Sequence, residues 1–480
     1  MNARRPLHHV AAAVLAVAAL SSVPNARALD VFGVDSDVSP SPAANAMLGS
    51  HAPGCVFGAT PGSPLSFDEA IERALCSNPR TAEAWANVKL QAARVGISKS
   101  AWLPTLSLTL ERDGSDVDTT VRSNPQLDSG GLQLSNTQQL VFNWVIIDPS
   151  RIFDVDSSER LLEASRASHA EALLSVFEDA SHDYFEAQSA DAALKAALDL
   201  RGTTQSSYLA AKARVDRGVA PVSDALQAQT ALAEAELAVA RAQGDLRRAT
   251  GSLDWRMGLR PDTALELPAT RDDALATPPA ADAIDALIDR VRNEHPHAVQ
   301  AARQLDAALA RVNQARADLL PKLSLNMRAG HDSTPVTPYT GSAPVGAQSR
   351  IRSASLSISV PLFDGFGGSY RIDQAERTAE LSRAQLEEAR QKVASDAWTA
   401  WQAVQTAYAT FTQARELQAT AAASFTAANE RYRAGVGSIA DLLGAQAALT
   451  NANSRKLQAL GDWRAANASL WSRLGQIRGA

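Results

Sequence analysis

Two short stretches carry side chains whose type and spacing could do chemistry. Glu294-His295-Pro296-His297 places two imidazoles two residues apart, the kind of pair that ligates a transition metal. The two histidines have no third ligand close by, and Pro296 marks a helix break, so the segment reads as a helix boundary. Gly365-Phe366-Gly367-Gly368-Ser369-Tyr370 begins like a phosphate-binding G-x-G-x-x-G loop, but Tyr370 stands where the last glycine is needed. No Ser/His/Asp or Cys/His arrangement stands in a supporting context. The sequence therefore points to no catalytic residue, no metal and no cofactor, and argues against an enzyme.

The remaining polar groups of interest lie in two related stretches. "RVDRGVAPVSDALQAQ" (214–229) returns as "RYRAGVGSIADLLGAQ" (431–446), offset by 217 residues. Gly218 and Gly435 suit the C-terminal cap of a helix, and Pro221 suits the first turn of the next one. Ser223 and Asp224, then Ser438 and Asp441, lie at or near the start of a return helix. Each stretch thus reads as the tip where one helix turns back.

The elements that must position these tips are themselves duplicated. "AWLPTLSL" (101–108) returns as "DLLPKLSL" (318–325), and "DLRRATGSLDWRMG" (245–258) matches "DWRAANASLWSRLG" (462–475), both at offset 217. That period is far too long for a solenoid repeat. The chain divides into a signal peptide (1–28), an N-terminal periplasmic extension (29–64), a first structural repeat (65–258), a linker (259–284) and a second repeat (285–480). The signal rests on Arg4 and Arg5, an apolar run from Val10 to Leu20 too short to span a bilayer, and Ala26-Arg27-Ala28 as the cleavage site.

Removing residues 1–28 takes away three arginines and no acid, so the net charge moves from −6 to −9. That balance argues against a nucleic-acid partner. Cys55 and Cys76 remain in an exported chain, where they form either a disulfide or two separate thiols, Cys76 packed inside a helix. No segment is apolar enough for a transmembrane helix, but barrel strands are short and alternate, so a β-barrel stays open.

Each repeat opens with helices. Ser66 with Glu69 forms a capping-box pattern, and Asn78-Pro79 interrupts the helix that follows. The period then changes to two. Leu106, Leu108 and Leu110 oppose Thr105, Ser107, Thr109 and Glu111, while Leu323, Leu325 and Met327 oppose Lys322, Ser324, Asn326 and Arg328. After polar loops at 112–130 and 329–350, Leu132 and Leu134 alternate with Gln133 and Ser135, and Leu356, Ile358 and Val360 with Ser355, Ser357 and Ser359. The pattern predicts two hairpins, with strands at about 102–112, 131–142, 319–329 and 353–364, each the length of a tilted transmembrane strand. Leu108, Leu325 and Ile358 are expected to face lipid, and Ser107, Ser324 and Ser357 a lumen.

Long helices follow. Ser150 to Arg214 is 65 residues with one glycine and no proline, and Arg371 to Ala434 is 64 residues with neither. Each spans about 95 Å at 1.5 Å per residue. Four strands cannot close a barrel, and an open sheet edge in lipid leaves backbone groups unpaired. Copies of the chain must supply the rest. Two copies give eight strands and a filled interior; three give twelve and room for water. The expected architecture is mainly α with a transmembrane β-barrel: a homotrimeric twelve-stranded barrel continued by an α-helical coiled-coil tunnel.

Over residues 65–480 the chain resembles the TolC-like outer-membrane channel proteins. The resemblance rests on the duplicated unit, "LPTLSL" and "LPKLSL", "VPLFDG" at 360–365 and the paired glycine turns. It implies a trimer in the outer membrane of a Gram-negative bacterium, spanning the periplasm and docking to an inner-membrane adaptor (a membrane fusion protein) and an ABC transporter. Within the family it points to a passive exit duct of a type I secretion system for a large, cyclolysin-like repeat toxin; the alternative is the outer-membrane part of a multidrug efflux pump. A periplasmic adaptor and a structural coiled-coil protein are the alternatives of other classes.

The resemblance also implies roles at the tips. Asp441 falls on an acidic ring that closes the periplasmic aperture, Tyr432 on a tyrosine linking neighbouring helix pairs, and Ser223 and Asp224 on the linkers of the first repeat. Gly218, Val219, Pro221, Gly435, Val436 and Gly437 fall on the turns that dock the adaptor. Two residues depart from the pattern: Gly437 stands where a linking arginine is often found, and Gly444 where a second ring aspartate often stands. A third departure is "LVFNWVIIDPSR" (140–151), where the family often reads "PLFDGG".

Overall fold

The computed structural model describes residues 30–34, 38, 64–116, 118, 120, 122–123, 128, 132–269, 281–336 and 345–477. The signal segment, Cys55 and most of residues 29–64 lie outside the described residues.

Two repeats of the same element order follow one another. The first comprises α1 (Phe67–Ser77), α2 (Pro79–Ser100), β1 (Thr105–Asp116), β2 (Leu132–Ile147), α3 (Ser150–Asp216) and α4 (Val222–Arg256). The second comprises α5 (Ala281–Glu294), α6 (Pro296–Ala317), β3 (Lys322–Val336), β4 (Val345–Ser359), α7 (Gly367–Arg433) and α8 (Ile439–Arg473). No helix among the described residues is long and apolar enough to cross a membrane.

Local chemistry sets the helix boundaries. The Ser66 hydroxyl accepts the Glu69 N–H at 3.2 Å and starts α1. Asn78 closes α1 and opens α2, its side chain accepting the Arg80 N–H at 2.9 Å with Pro79 at the first helical position. His295 does the same for α6: its Nδ1 accepts the His297 N–H at 3.2 Å, and Pro296 follows. Cys76, near the end of α1, is disulfide-bonded.

The four strands form one antiparallel sheet in the order β1-β2-β3-β4. The two hairpins are therefore joined, because β2 pairs with β3 across the repeat boundary. The strands run to 12–16 residues, longer than the expected ten or so. β1 and β3 start directly after Pro104 and Pro321, and β4 stops before Pro361, because proline brings no N–H to a ladder; Pro335 is tolerated in β3 because it lies beyond the residues that pair with β2. At the loop ends they continue through polar residues such as Asp113–Asp116 and Gly346–Arg350, where pairing persists although hydropathy no longer alternates. Among the described residues only β2 and β3 have neighbours on both sides, so β1 and β4 are open edges within one chain.

The register fixes two faces. Leu108 lies opposite Leu140, Met327 opposite Phe142, Leu325 opposite Trp144 and Leu323 opposite Ile358. The other face holds Ser107, Asn143, Asn326 and the Ser324–Ser357 pair, whose hydroxyls lie 2.8 Å apart.

Below the sheet, α3 and α7 each run 67 residues, about 100 Å. The return helices α4 and α8 have 35 residues each, so they cover only the far half. The near half of α3 packs against α2 and α6, and that of α7 against α5 and α6. At the level where the return helices end, Leu65, Leu173, Phe177, Leu253 and Met257 form the largest core cluster. Phe67 stacks on Phe185 there at 5.2 Å, and a fully buried Phe or Leu in such a core contributes about 1.5–3 kcal/mol. Toward the tips small buried residues such as Ala211, Ala228 and Ala235 let helix axes approach closely, and Tyr432, Ile439 and Leu442 fill the end of the bundle.

The two strand-to-helix junctions differ. In the second repeat Gly365 and Phe366 both adopt left-handed φ (67° and 65°), and Asp364 accepts a 2.8 Å bond from Arg371. In the first, Asp148-Pro149 makes the turn without a glycine: the Asp148 carboxylate accepts from the Ser150 N–H and hydroxyl at 3.2 and 2.7 Å. Trp144 Nε1–H donates to the Trp102 carbonyl at 3.1 Å, anchoring β2 where the register shifts.

Candidate functional site at the helix tips

The tips of the two helical hairpins are the part of the molecule farthest from the sheet. At the first, the Gly218 N–H donates to the Val215 carbonyl at 2.8 Å and the Val219 N–H to the Arg214 carbonyl at 3.0 Å. Gly218 has φ 73°, and its counterpart Gly435 has φ 79°. Nothing lies within 4 Å of a Cβ at either position, so backbone conformation, not space, calls for glycine.

At the second tip the N–H groups of Val436 and Gly437 both donate to the Arg431 carbonyl at 3.0 Å. Gly437 is tight for a different reason. A Cβ there would sit 3.0 Å from the Tyr432 nitrogen and 3.1 Å from the Arg431 carbonyl carbon, so a side chain requires the turn to shift. By contrast, Gly444 on α8 has open space around it.

The return helices begin differently. The Ser438 hydroxyl accepts the Asp441 N–H at 3.0 Å, so serine caps α8. Asp441, in the first turn, is exposed, and among the described residues its carboxylate has no ion-pair or side-chain hydrogen-bond partner within the chain. Its charge complements the positive end of the helix dipole. α4 starts at Val222, with Pro221 in extended conformation just before it and no side-chain cap; Ser223 and Asp224 are neighbours, the hydroxyl 3.5 Å from a carboxylate oxygen. No hydrogen bond joins Ser223 or Asp224 to Tyr432 or Asp441 within one chain, among the described residues.

Tyr432 is buried against Ala211, Ala228, Ile439 and Leu442. The Arg214 guanidinium lies over its ring, 4.4 Å from the centroid, and donates to the Tyr432 carbonyl at 2.8 Å. One side chain from the end of α3 thus holds both the ring and the backbone at the end of α7. A second link lies one level up, where the buried Gln446 Nε2 donates to Thr204 Oγ1 at 2.8 Å, joining α8 to α3. Sequence reasoning did not find either link. Arg214 stands at the repeat position of Arg431, which signals a basic last turn but not a partner 218 residues away.

Four apolar side chains at the tips face solvent: Val219, Val222, Leu226 and Val436, 58–73% exposed. They make an apolar rim around polar turns.

The other polar clusters are structural. Arg256, at the end of α4, donates to Asp183 at 2.7 Å and to Asp179 at 2.9 Å, and Arg80 adds a 3.1 Å bond to Asp179. That ties α4, α3 and α2 together. His182, Asp183 and Glu186 could place three ligand atoms together, but Asp183 already serves Arg256. The Glu294–His297 stretch is a helix boundary: His295 caps α6, and His297 Nδ1 lies 3.2 Å from Glu171. Asp254, in the last turn of α4, is fully buried with neither oxygen hydrogen-bonded; burial, with Asp262 nearby, pushes its carboxyl up to about 6.

Comparisons with known proteins bear on this geometry. The family described as "Outer membrane efflux protein" matches residues 70–258 and 287–476, which fall within the two repeats. Protein CyaE of Bordetella pertussis is 29% identical over 429 residues, covering 86% of this chain and 84% of that protein. Among solved structures, the open state of the MtrE outer-membrane channel of Neisseria gonorrhoeae superposes with a TM-score of 0.68 at 22% identity, covering 85% of this chain and 88% of that one. The outer membrane protein VceC of Vibrio cholerae gives 0.68 at 18% identity, covering 85% and 96%.

Proposed function

The chain belongs to the outer membrane efflux protein family, and from that premise we propose that it is the passive outer-membrane duct of a type I protein secretion system. As a family member it is an outer-membrane channel that spans the periplasm and works with inner-membrane adaptor and transporter partners; it is not an enzyme. The observation that carries the channel reading is the four-stranded sheet itself. It has one apolar and one hydroxyl- and amide-bearing face, two open edges, and two helical hairpins that continue from it for about 100 Å.

Three copies close these edges, β4 of one beside β1 of the next, into a twelve-stranded barrel with the serine face inward. The similarity to CyaE over most of both chains favours export of a protein. The resemblance to the outer-membrane component of cyclolysin secretion makes a large repeat toxin the expected cargo. The exposed Val219, Val222, Leu226 and Val436 rim fits an apolar contact with the adaptor's own helical tips. Asp441, one per chain, places three carboxylates at the narrow end, while Arg214 and Tyr432 hold the two hairpins of each chain together.

Deleting the gene and following a repeat toxin encoded beside it tests the cargo. Loss of the toxin from the medium, restored by the intact gene, is the expected result. Normal toxin export together with drug hypersensitivity would assign the duct to an efflux pump instead.

A further inference from the structure

The apolar face of the sheet changes character toward the loops. Along the register, Leu106–Phe142–Met327–Ala354 and Trp144–Leu325–Leu356 are apolar rows. The next rows on the same face are Leu108–Leu140–Ala329–Arg352, Leu110–Gln138–His331–Arg350 and Arg112–Asn136–Ser333–Gln348. The face thus passes from an apolar band to a zone holding Arg112, His331, Arg350 and Arg352. All four are exposed. Among the described residues none of the three arginines is paired with a carboxylate. The outward acid nearest to them along β1 is Asp116, four residues beyond Arg112, which is about 14 Å of extended strand.

Arg350 and Arg352 lie on the β4 edge and Arg112 on the β1 edge. Barrel closure as proposed above brings the Arg112 edge of one copy beside the Arg350–Arg352 edge of the next. Each seam then carries three guanidiniums directly above lipid-facing leucines, at the end of the barrel away from the periplasmic helices. Guanidinium forks match phosphate oxygens two at a time. A ligand that satisfies both the basic zone and the apolar band needs phosphates joined to acyl chains.

We infer that each seam between copies binds the phosphorylated glycolipid headgroup of the outer leaflet, with its acyl chains along the apolar rows below. The site rests on the barrel reading, and it differs from the lumen, whose Arg328 lies on the opposite face.

The test uses the full-length protein extracted from outer membranes and exchanged into delipidating detergent. Bisphosphorylated lipid A is then added and bound copies are counted by native mass spectrometry. Up to three lipids per trimer are expected, with affinity at least tenfold weaker for the Arg112→Gln/Arg350→Gln/Arg352→Gln variant and unchanged for Arg328→Gln. Equal binding of lipid A by the triple variant, or equal binding of dephosphorylated lipid, would overturn the site. Displacement of the lipid by inorganic phosphate at matched concentration would overturn the choice of a lipid. If the wild-type protein is not extracted as an oligomer before any lipid is added, the barrel reading itself fails, a separate outcome from failure of the site.

Discussion

Replacing Arg214 by alanine should loosen the periplasmic tip without unfolding the protein. The side chain makes two contacts with one residue: a 2.8 Å hydrogen bond to the Tyr432 carbonyl and a 4.4 Å approach to its ring. A hydrogen bond from a charged donor contributes about 1.5–3 kcal/mol. A cation over an aromatic face at a partly exposed site adds about 0.5–1 kcal/mol. The guanidinium is shared and half-buried, so the two do not add fully, and about 2 kcal/mol per chain is the working figure. That shifts a local equilibrium between held and released tips about thirtyfold. Single-channel recording in planar bilayers reads it directly: Arg214→Ala channels should spend much more time in a high-conductance state. Tyr432→Phe serves as the control. It keeps the ring and the carbonyl, so both Arg214 contacts survive it, and any change it brings reports the hydroxyl alone. Unchanged Arg214→Ala conductance with a lowered trimer melting temperature would refute the reasoning and leave Arg214 a packing residue.

Other changes test other parts. Asp441→Asn should leave trimer yield intact, because Ser438 provides the cap, while reducing cation selectivity and block by multivalent cations; lowered stability with unchanged selectivity would contradict the carboxylate ring. Leu325→Arg should cost about 2–4 kcal/mol at mid-membrane and deplete assembled trimer, whereas Ser324→Arg should assemble; equal tolerance would reverse the assigned faces. Asp254 binds its proton more tightly folded, at about 6, than unfolded, so the native state loses stability as pH rises from about 4 through 6. Asp254→Asn should therefore raise the melting temperature above pH 6 and leave it nearly unchanged near pH 4. A uniform shift at all pH values would remove the charge as the cause.

What could be read from the sequence was local or periodic. Ser66 capping α1, Pro79 and Pro296 opening helices, and Gly218 and Gly435 ending them all follow from single-residue backbone chemistry. The leucine–serine alternation at 105–110 and 322–327 marked the strands, and the 217-residue offset exposed the duplication. Long-range pairing left no such trace. Nothing in "LVFNWVII" says that it pairs with "LSLNMR", so the joining of the two hairpins into one sheet came only from the structure. Strand ends beyond the apolar band were hidden for a related reason: polar residues on both faces carry no period, while backbone pairing continues. Arg214 meets Tyr432 and Thr204 meets Gln446 because two helical hairpins lie side by side; Arg214, Thr204 and Gln446 alone look like ordinary helix surface positions, and only the family resemblance singled out Tyr432. The orphaned carboxylate of Asp254 is equally silent, since an aspartate near a helix end is commonplace.

The central claim is that one chain supplies a third of a barrel. Native mass spectrometry of the protein extracted intact from the outer membrane tests it most directly. The expected particle has the mass of three mature chains and separates into single chains only on heating. A conducting preparation whose particle has the mass of one or two chains would contradict it.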